Sequence, residues 1–100
     1  MLEITKETRT VLRLNGRIDT TTAEQFGEAV EQALEGPGSI ELDMGGVEYI
    51  SSAGLRVLLK AQKTLSGKDA RLILINPNED VMNILRITGF DELLEIDRAP

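Results

Sequence analysis

From Ser39 to Ile75 the chain reads as strand, helix, strand, and this succession limits the folds open to it. Ser39-Ile40-Glu41-Leu42-Asp43-Met44 alternates, with Ile40, Leu42 and Met44 on one face of a strand. The polar residues between them imply that the opposite face is only partly covered. Gly45-Gly46 reads as a turn that ends the strand. A helix is expected from about Ser52 to Ser66, with Leu55, Leu58, Leu59 and Leu65 on its buried side and Gly67 as its stop. Arg71-Leu72-Ile73-Leu74-Ile75 is nearly all apolar, as a central strand covered on both faces would be. Strands joined by a helix pair in parallel through a crossover.

The flanking segments extend this unit. Leu2 and Ile4 suggest a first strand, Thr5 to Thr10 a polar turn, and Val11-Leu12-Arg13-Leu14 a second strand closed by Asn15-Gly16. Two strands so close in sequence pair most easily as a hairpin. Thr20-Thr21-Thr22 then opens a helix in which Thr21 and Glu24 have capping-box spacing. Phe26, Val30, Ala33 and Leu34 form its apolar stripe, and Gly36-Pro37-Gly38 stops it. Asn76-Pro77-Asn78-Glu79 predicts another helix, with Asn76 as the cap and Pro77 at its first position. Val81, Met82 and Leu85 are its buried residues, and Gly89 ends it. Leu93 to Ile96 reads as a short last strand, followed by a frayed Arg98-Ala99-Pro100.

The missing residue types narrow the chemistry. With no Cys there is neither a disulfide nor a thiolate nucleophile. With no His the commonest base near neutral pH and the commonest metal ligand are gone. No cofactor is expected. A net charge of -6 argues against a sequence-independent grip on nucleic acid, which needs Lys and Arg to displace counterions. No apolar run approaches the roughly 20 residues of a membrane span, and the start Met1-Leu2-Glu3-Ile4 lacks the pattern of a secretory signal. A cytoplasmic protein is expected. An enzyme built on carboxylates such as Asp43 and Glu48 finds no nucleophile or metal set beside them.

Gly46-Val47-Glu48-Tyr49-Ile50-Ser51-Ser52-Ala53-Gly54-Leu55-Arg56-Val57-Leu58-Leu59 resembles the signature of the STAS domain, in which an apolar or aromatic pair precedes Asp-Ser-(Ser/Thr)-Gly-Leu and an apolar helix. Gly16-Arg17-Ile18-Asp19 and Ile87-Thr88-Gly89-Phe90 are similar to two further segments of that family. Ser51 stands where many members carry Asp, and Ala53 where many carry Ser or Thr. The order of elements matches along almost the whole chain. The resemblance implies one α/β STAS domain over residues 1–100, with a small, mixed, mostly parallel sheet and helices packed mainly on one side.

It further implies an anti-sigma factor antagonist. Such a protein binds an anti-sigma factor serine kinase when unphosphorylated, is released on phosphorylation at Ser52, and is reset by a metal-dependent serine phosphatase. Asp19, Thr20, Thr21, Ser51, Ser52, Ala53 and Gly54 would then contact the partner. The same likeness also fits a partner switch for secretion or chemotaxis, or a subunit of a lipid-transport ATPase. Helical spacing adds a basic stripe to the candidate interface: Ser52, Arg56, Lys60 and Lys63 lie along one helix face. Each feature has a plainer reading too. Ser51 and Ser52 fit helix caps, the stripe fits a solvated face, and Asp19 with its threonines fits a strand end. Gly54, early in a helix, costs about 1 kcal/mol against Ala and points to the close approach of another backbone.

Overall fold

A computed structural model describes residues 1–6 and 10–98. Its strands are β1 (Glu3–Lys6), β2 (Val11–Ile18), β3 (Ile40–Ile50), β4 (Leu72–Ile75) and β5 (Glu95–Asp97). Its helices are α1 (Ala23–Leu34), α2 (Ser52–Ser66), α3 (Glu79–Thr88) and the single-turn α4 (Phe90–Leu93). The five strands form one sheet in the order β1-β2-β3-β4-β5. The β1–β2 hairpin is antiparallel and the other pairings are parallel. This is the small mixed, mostly parallel sheet expected.

Alternation along the strands explains why one face carries the core. Leu12, Leu42 and Leu74 are in register across β2, β3 and β4, and all are buried. One residue further on, Arg13, Asp43 and Ile75 are in register on the other face, where none is fully buried. Arg13 Nε lies 3.8 Å from Asp43 Oδ2 there. The helices close the apolar face: α1 through Phe26, Val30, Ala33 and Leu34, and α3 through Val81, Met82 and Leu85, all as expected. On α2 the buried residues are Gly54, Leu55, Leu58, Ala61 and Leu65. Leu59 is only half-buried, because the stripe turns toward Ala61 instead. Nor is β4 sealed on both faces, since Ile73 and Ile75 stay half-exposed. It lies beside the edge strand, and β3 is the centre of the sheet.

Several expected boundaries move, each for a local reason. Neither Asn15-Gly16 nor Gly45-Gly46 ends a strand: β2 runs on to Ile18 and β3 to Ile50. Register shifts between Arg13 and Asn15 and between Gly16 and Arg17 absorb the extra residues as bulges. Gly16 has φ +112°, and a Cβ there would collide with the Met1 carbonyl, so glycine suits this bulge. Thr5 and Lys6, expected in a turn, belong to strand β1, and residues 7–9 of the expected turn lie outside the described residues.

The start of α3 also differs. Asn78, not Asn76, is the cap: its Oδ1 accepts from the Val81 amide at 2.8 Å and its Nδ2 donates to the Val47 carbonyl at 2.9 Å. Asn76 takes φ +53° and donates its amide to the Asp97 carbonyl at 2.9 Å, joining the end of β4 to β5. Gly89 ends α3 with φ +79°, as expected. The chain then makes α4 before its last strand, so Leu93 is helical and β5 starts at Glu95. Arg98 is tied down, with its Nη2 2.8 Å from Glu79 Oε1. Ala99 and Pro100 lie outside the described residues.

Candidate functional site

The parallel pairing of β2 and β3 brings their C-terminal ends together, with Ile18 in register with Ile50. The Ser51 amide donates to the Ile18 carbonyl at 2.8 Å, so α2 starts immediately beside the end of β2. Ser51 is the N-cap, extended at φ −88° and ψ 172°, and its Oγ accepts from the Gly54 amide at 3.3 Å. It is 8% exposed. Ser52 is the first helical residue and is exposed, and its hydroxyl makes no hydrogen bond among the described residues. The two adjacent serines therefore differ sharply: one hydroxyl is buried and used by the fold, the other is free.

Gly54 is buried, and its close neighbours are side chains rather than the expected backbone. A Cβ at this position would lie 2.6 Å from Ile18 Cγ2 and 2.8 Å from Ile50 Cγ1. The helix tip thus rests directly on the ends of the two strands. Ala53 is half-buried beside it.

The Asp19–Thr22 corner forms the other half of the site. Asp19 Oδ1 accepts from the Thr21 amide at 2.9 Å, the Thr21 hydroxyl at 2.7 Å and the Thr22 amide at 3.1 Å. The Thr22 hydroxyl accepts from the Asp19 amide at 2.9 Å and donates to the Arg17 carbonyl at 2.8 Å. The expected capping box of Thr21 and Glu24 is not what starts α1. Thr22 is the N-cap and makes no side-chain cap bond. Instead the Asp19 carbonyl accepts from the Ala23 amide at 2.9 Å as the helix starts, while the Asp19 carboxylate braces the turn before it through the Thr21 and Thr22 amides. These bonds, first that from the Thr21 hydroxyl, hold the Asp19 carboxyl below its ordinary value. Thr20 and Thr21 are exposed beside it.

Arg56, Lys60 and Lys63 are exposed and continue from Ser52 along α2. Lys60 Nζ pairs with Glu31 Oε1 of α1 at 3.0 Å, between two exposed side chains. The structure thus gathers Asp19, Thr20, Thr21, Ser51, Ser52, Ala53 and Gly54 at one end of the sheet, with the basic stripe leading away. It adds two neighbours that periodicity left unnoticed. The Arg17 guanidinium sits 4.7 Å from the centroid of the half-exposed Tyr49 ring, and its Nε lies 3.9 Å from Asp19 Oδ2. Arg17 and Tyr49 are in register on neighbouring strands, and each lies two residues before a site residue, Asp19 or Ser51. Both stand in the segments that resemble the family signature, but nothing along the chain showed that they meet.

Asp43 and Glu48 do not assemble a reaction centre. Asp43 faces Arg13 and caps the Gly45 amide at 3.0 Å, and Glu48 is exposed. Among the described residues no three His, Cys, Asp or Glu groups are placed to hold a metal ion. No helix among them is long and apolar enough to cross a membrane.

The architecture is shared with solved proteins. The anti-sigma factor antagonist SpoIIAA in its unphosphorylated form superposes with a TM-score of 0.79, over 100% of this chain and 89% of that one, at 19% identity. Its phosphorylated form from Bacillus gives 0.72, over 100% and 92%, at 18% identity. These likenesses define a SpoIIAA-like α/β domain. The family model for the STAS domain matches residues 1–99, and the chain belongs to the STAS-domain family of anti-sigma factor antagonists. The anti-sigma-B factor antagonist of Listeria monocytogenes is 34% identical over 83 residues, spanning 81% of this chain and 72% of that protein. BtrV of Bordetella bronchiseptica is 37% identical over 78 residues, spanning 77% and 67%.

Proposed function

We propose that this protein is a partner switch whose state is set by phosphorylation of Ser52. Unphosphorylated, it docks on an anti-sigma factor that is also a serine kinase, and so frees a sigma factor for transcription. The Ser52 hydroxyl is the acceptor, the kinase transfers phosphate from ATP, and the complex separates. A metal-dependent serine phosphatase restores the hydroxyl. All of this takes place in the cytoplasm, and this chain is substrate and binder throughout. The observation that carries the reading is the contrast at the helix tip: Ser51 is buried and capped, whereas Ser52 is exposed with a free hydroxyl.

Phosphate at Ser52 adds roughly -1.5 to -2 charges at pH 7. Inside the domain that charge is tolerated, because the first turn of α2 supplies unpaired amides and the positive end of the helix dipole. Arg56 lies one turn further along the same face, within reach of a charge-assisted pair. A partner packed over the tip has no such provision and must bury an unpaired charge, which costs several kcal/mol. Every 1.4 kcal/mol of that cost is about tenfold in affinity. The fold survives while the complex does not. In support, SpoIIAA, which shares this fold, has been solved in phosphorylated and unphosphorylated forms.

The test is to incubate the protein with the anti-sigma factor kinase and ATP and to map the modified residue by mass spectrometry. Ser52 should gain one phosphate, and Ser52→Ala should block modification yet keep binding. Phosphate on Ser51, or undiminished kinase affinity after phosphorylation, would sink the reading.

A further inference from the structure

Between them, α1 and α2 leave an open groove of about 600 Å³. Its floor is small and apolar, made of Ala23 and Gly27 from α1 and Val57 and Ala61 from α2. Gly27 leaves the floor without a side chain at this point, where a Cβ would stand in ordinary contact 3.6 Å from Val57 Cγ2. The two rims carry opposite charge. Glu24, Glu28 and Glu31 line the α1 side, all exposed. Lys60 lines the α2 side, between the exposed Arg56 and Lys63 of the same helix face.

Among the described residues one pair, Lys60 with Glu31, bridges the rims. Among the described residues Glu24 and Glu28 have no cation bonded to them, and Arg56 and Lys63 have no carboxylate. An apolar floor between an acidic and a basic rim suits one kind of occupant. A helix laid in the groove sets its apolar ridge on the small residues, with its two flanks over rims of opposite sign. We infer that the α1–α2 groove receives an amphipathic helix of a partner protein, basic on the flank over α1 and acidic on the flank over α2.

The pattern also fixes the direction of the docked helix. Turning a helix end for end with its ridge still down exchanges its flanks, and each flank then meets its own charge. The rims are short: α1 has 12 residues, about 18 Å of helix, so about three turns of the occupant are engaged. Both helices begin at the C-terminal ends of paired parallel strands, so the groove between them leads away from the end of the sheet that carries Ser52. The inference draws on the reading that this protein acts by binding a partner there, but not on phosphorylation.

The test uses the full chain, labelled with ¹⁵N, and three synthetic helical peptides of about 14 residues that share one Leu/Ala ridge. One carries Lys on one flank and Glu on the other, one carries Lys on both, and one Glu on both. The mixed peptide should bind at least about tenfold tighter than either other peptide, weaken as salt is raised, and shift the amides of Gly27, Val57 and Ala61. Glu24→Lys with Glu28→Lys, exposed changes whose folding a thermal melt checks, should abolish that preference. Equal affinity for all three peptides, no binding, or shifts away from the groove would overturn the inference. The kinase reaction separates it from the Ser52 reading. A raised KM with unchanged kcat for the Glu24→Lys/Glu28→Lys variant supports the groove. An unchanged KM with Ser52 still modified removes the groove alone. Peptide binding without modification at Ser52 removes the switch alone.

Discussion

The Ser51 amide donates to the Ile18 carbonyl at 2.8 Å, and this bond sets where the second helix begins. It continues the parallel β2–β3 pairing by one residue and places the cap next to the end of β2. The following residue, Ser52, is the first one the sheet no longer holds. The Asp19 corner is one residue beyond Ile18, so both halves of the candidate site hang from the same pair of strand ends.

Replacing the two serines should separate their roles. Ser51→Ala removes a buried cap and should cost about 0.5–2 kcal/mol in chemical denaturation. Ser52→Ala should change stability by less than about 0.5 kcal/mol, because the side chain is exposed and unbonded. Equal losses would mean that Ser52 shares the capping.

Gly54→Ala tests the contact of the helix tip with the strands. Alanine is the better helix former by about 1 kcal/mol, which alone would stabilise the protein. Against that, its Cβ would press on Ile18 and Ile50 at 2.6 and 2.8 Å. Overpacking of this kind costs typically about 1–3 kcal/mol. The melting temperature should therefore fall, and a rise would show that the strand ends yield freely.

The Asp19 corner should respond to acid. Bonds from Thr21 and Thr22 depress its carboxyl below the ordinary 3.8, so the folded state favours the ionised form. The stabilisation is complete above pH 3.8 and is lost as the pH falls through the lower folded value. An NMR titration should find Asp19 titrating below 3.8, and Thr21→Val should move it up. A midpoint at or above the ordinary value would contradict the hydrogen-bonded geometry.

Lys60→Glu with Lys63→Glu should leave stability within about 1 kcal/mol, because the Lys60–Glu31 pair joins two exposed side chains. Association with the kinase should slow, most visibly at low salt, if the stripe steers docking. Stopped-flow association rates that match the unaltered protein would take the stripe out of the interface.

The parts legible in the sequence were those governed by local periodicity. The apolar stripes of α1 and α3 came out residue for residue, as did Ile40, Leu42 and Met44 on one face of β3. Glycine pairs misled because their meaning depends on the neighbouring strand. Asn15-Gly16 and Gly45-Gly46 have the composition of turns, but a parallel partner on β2 or β3 keeps them within the strands, where the register shifts. The caps misled for a similar reason. Thr21 and Glu24 have the right spacing, yet the Asp19 carboxylate ties Thr21 into the turn that precedes the helix. Asn76 has the right composition, yet Asn78 is fixed by the Val47 carbonyl, 31 residues earlier in the chain.

By itself the sequence determined which residues of α1 and α3 are buried, the alternation of strands with helices, and the presence of two serines ahead of an amphipathic helix. These follow from side-chain chemistry repeated at a fixed spacing along one segment. Only the tertiary structure decided which serine hydroxyl serves as the cap and which is free, that Gly54 rests on Ile18 and Ile50, and that an acidic and a basic helix edge face each other across one groove. Those outcomes depend on groups far apart in sequence meeting at the ends of paired strands, and no single segment carries that information.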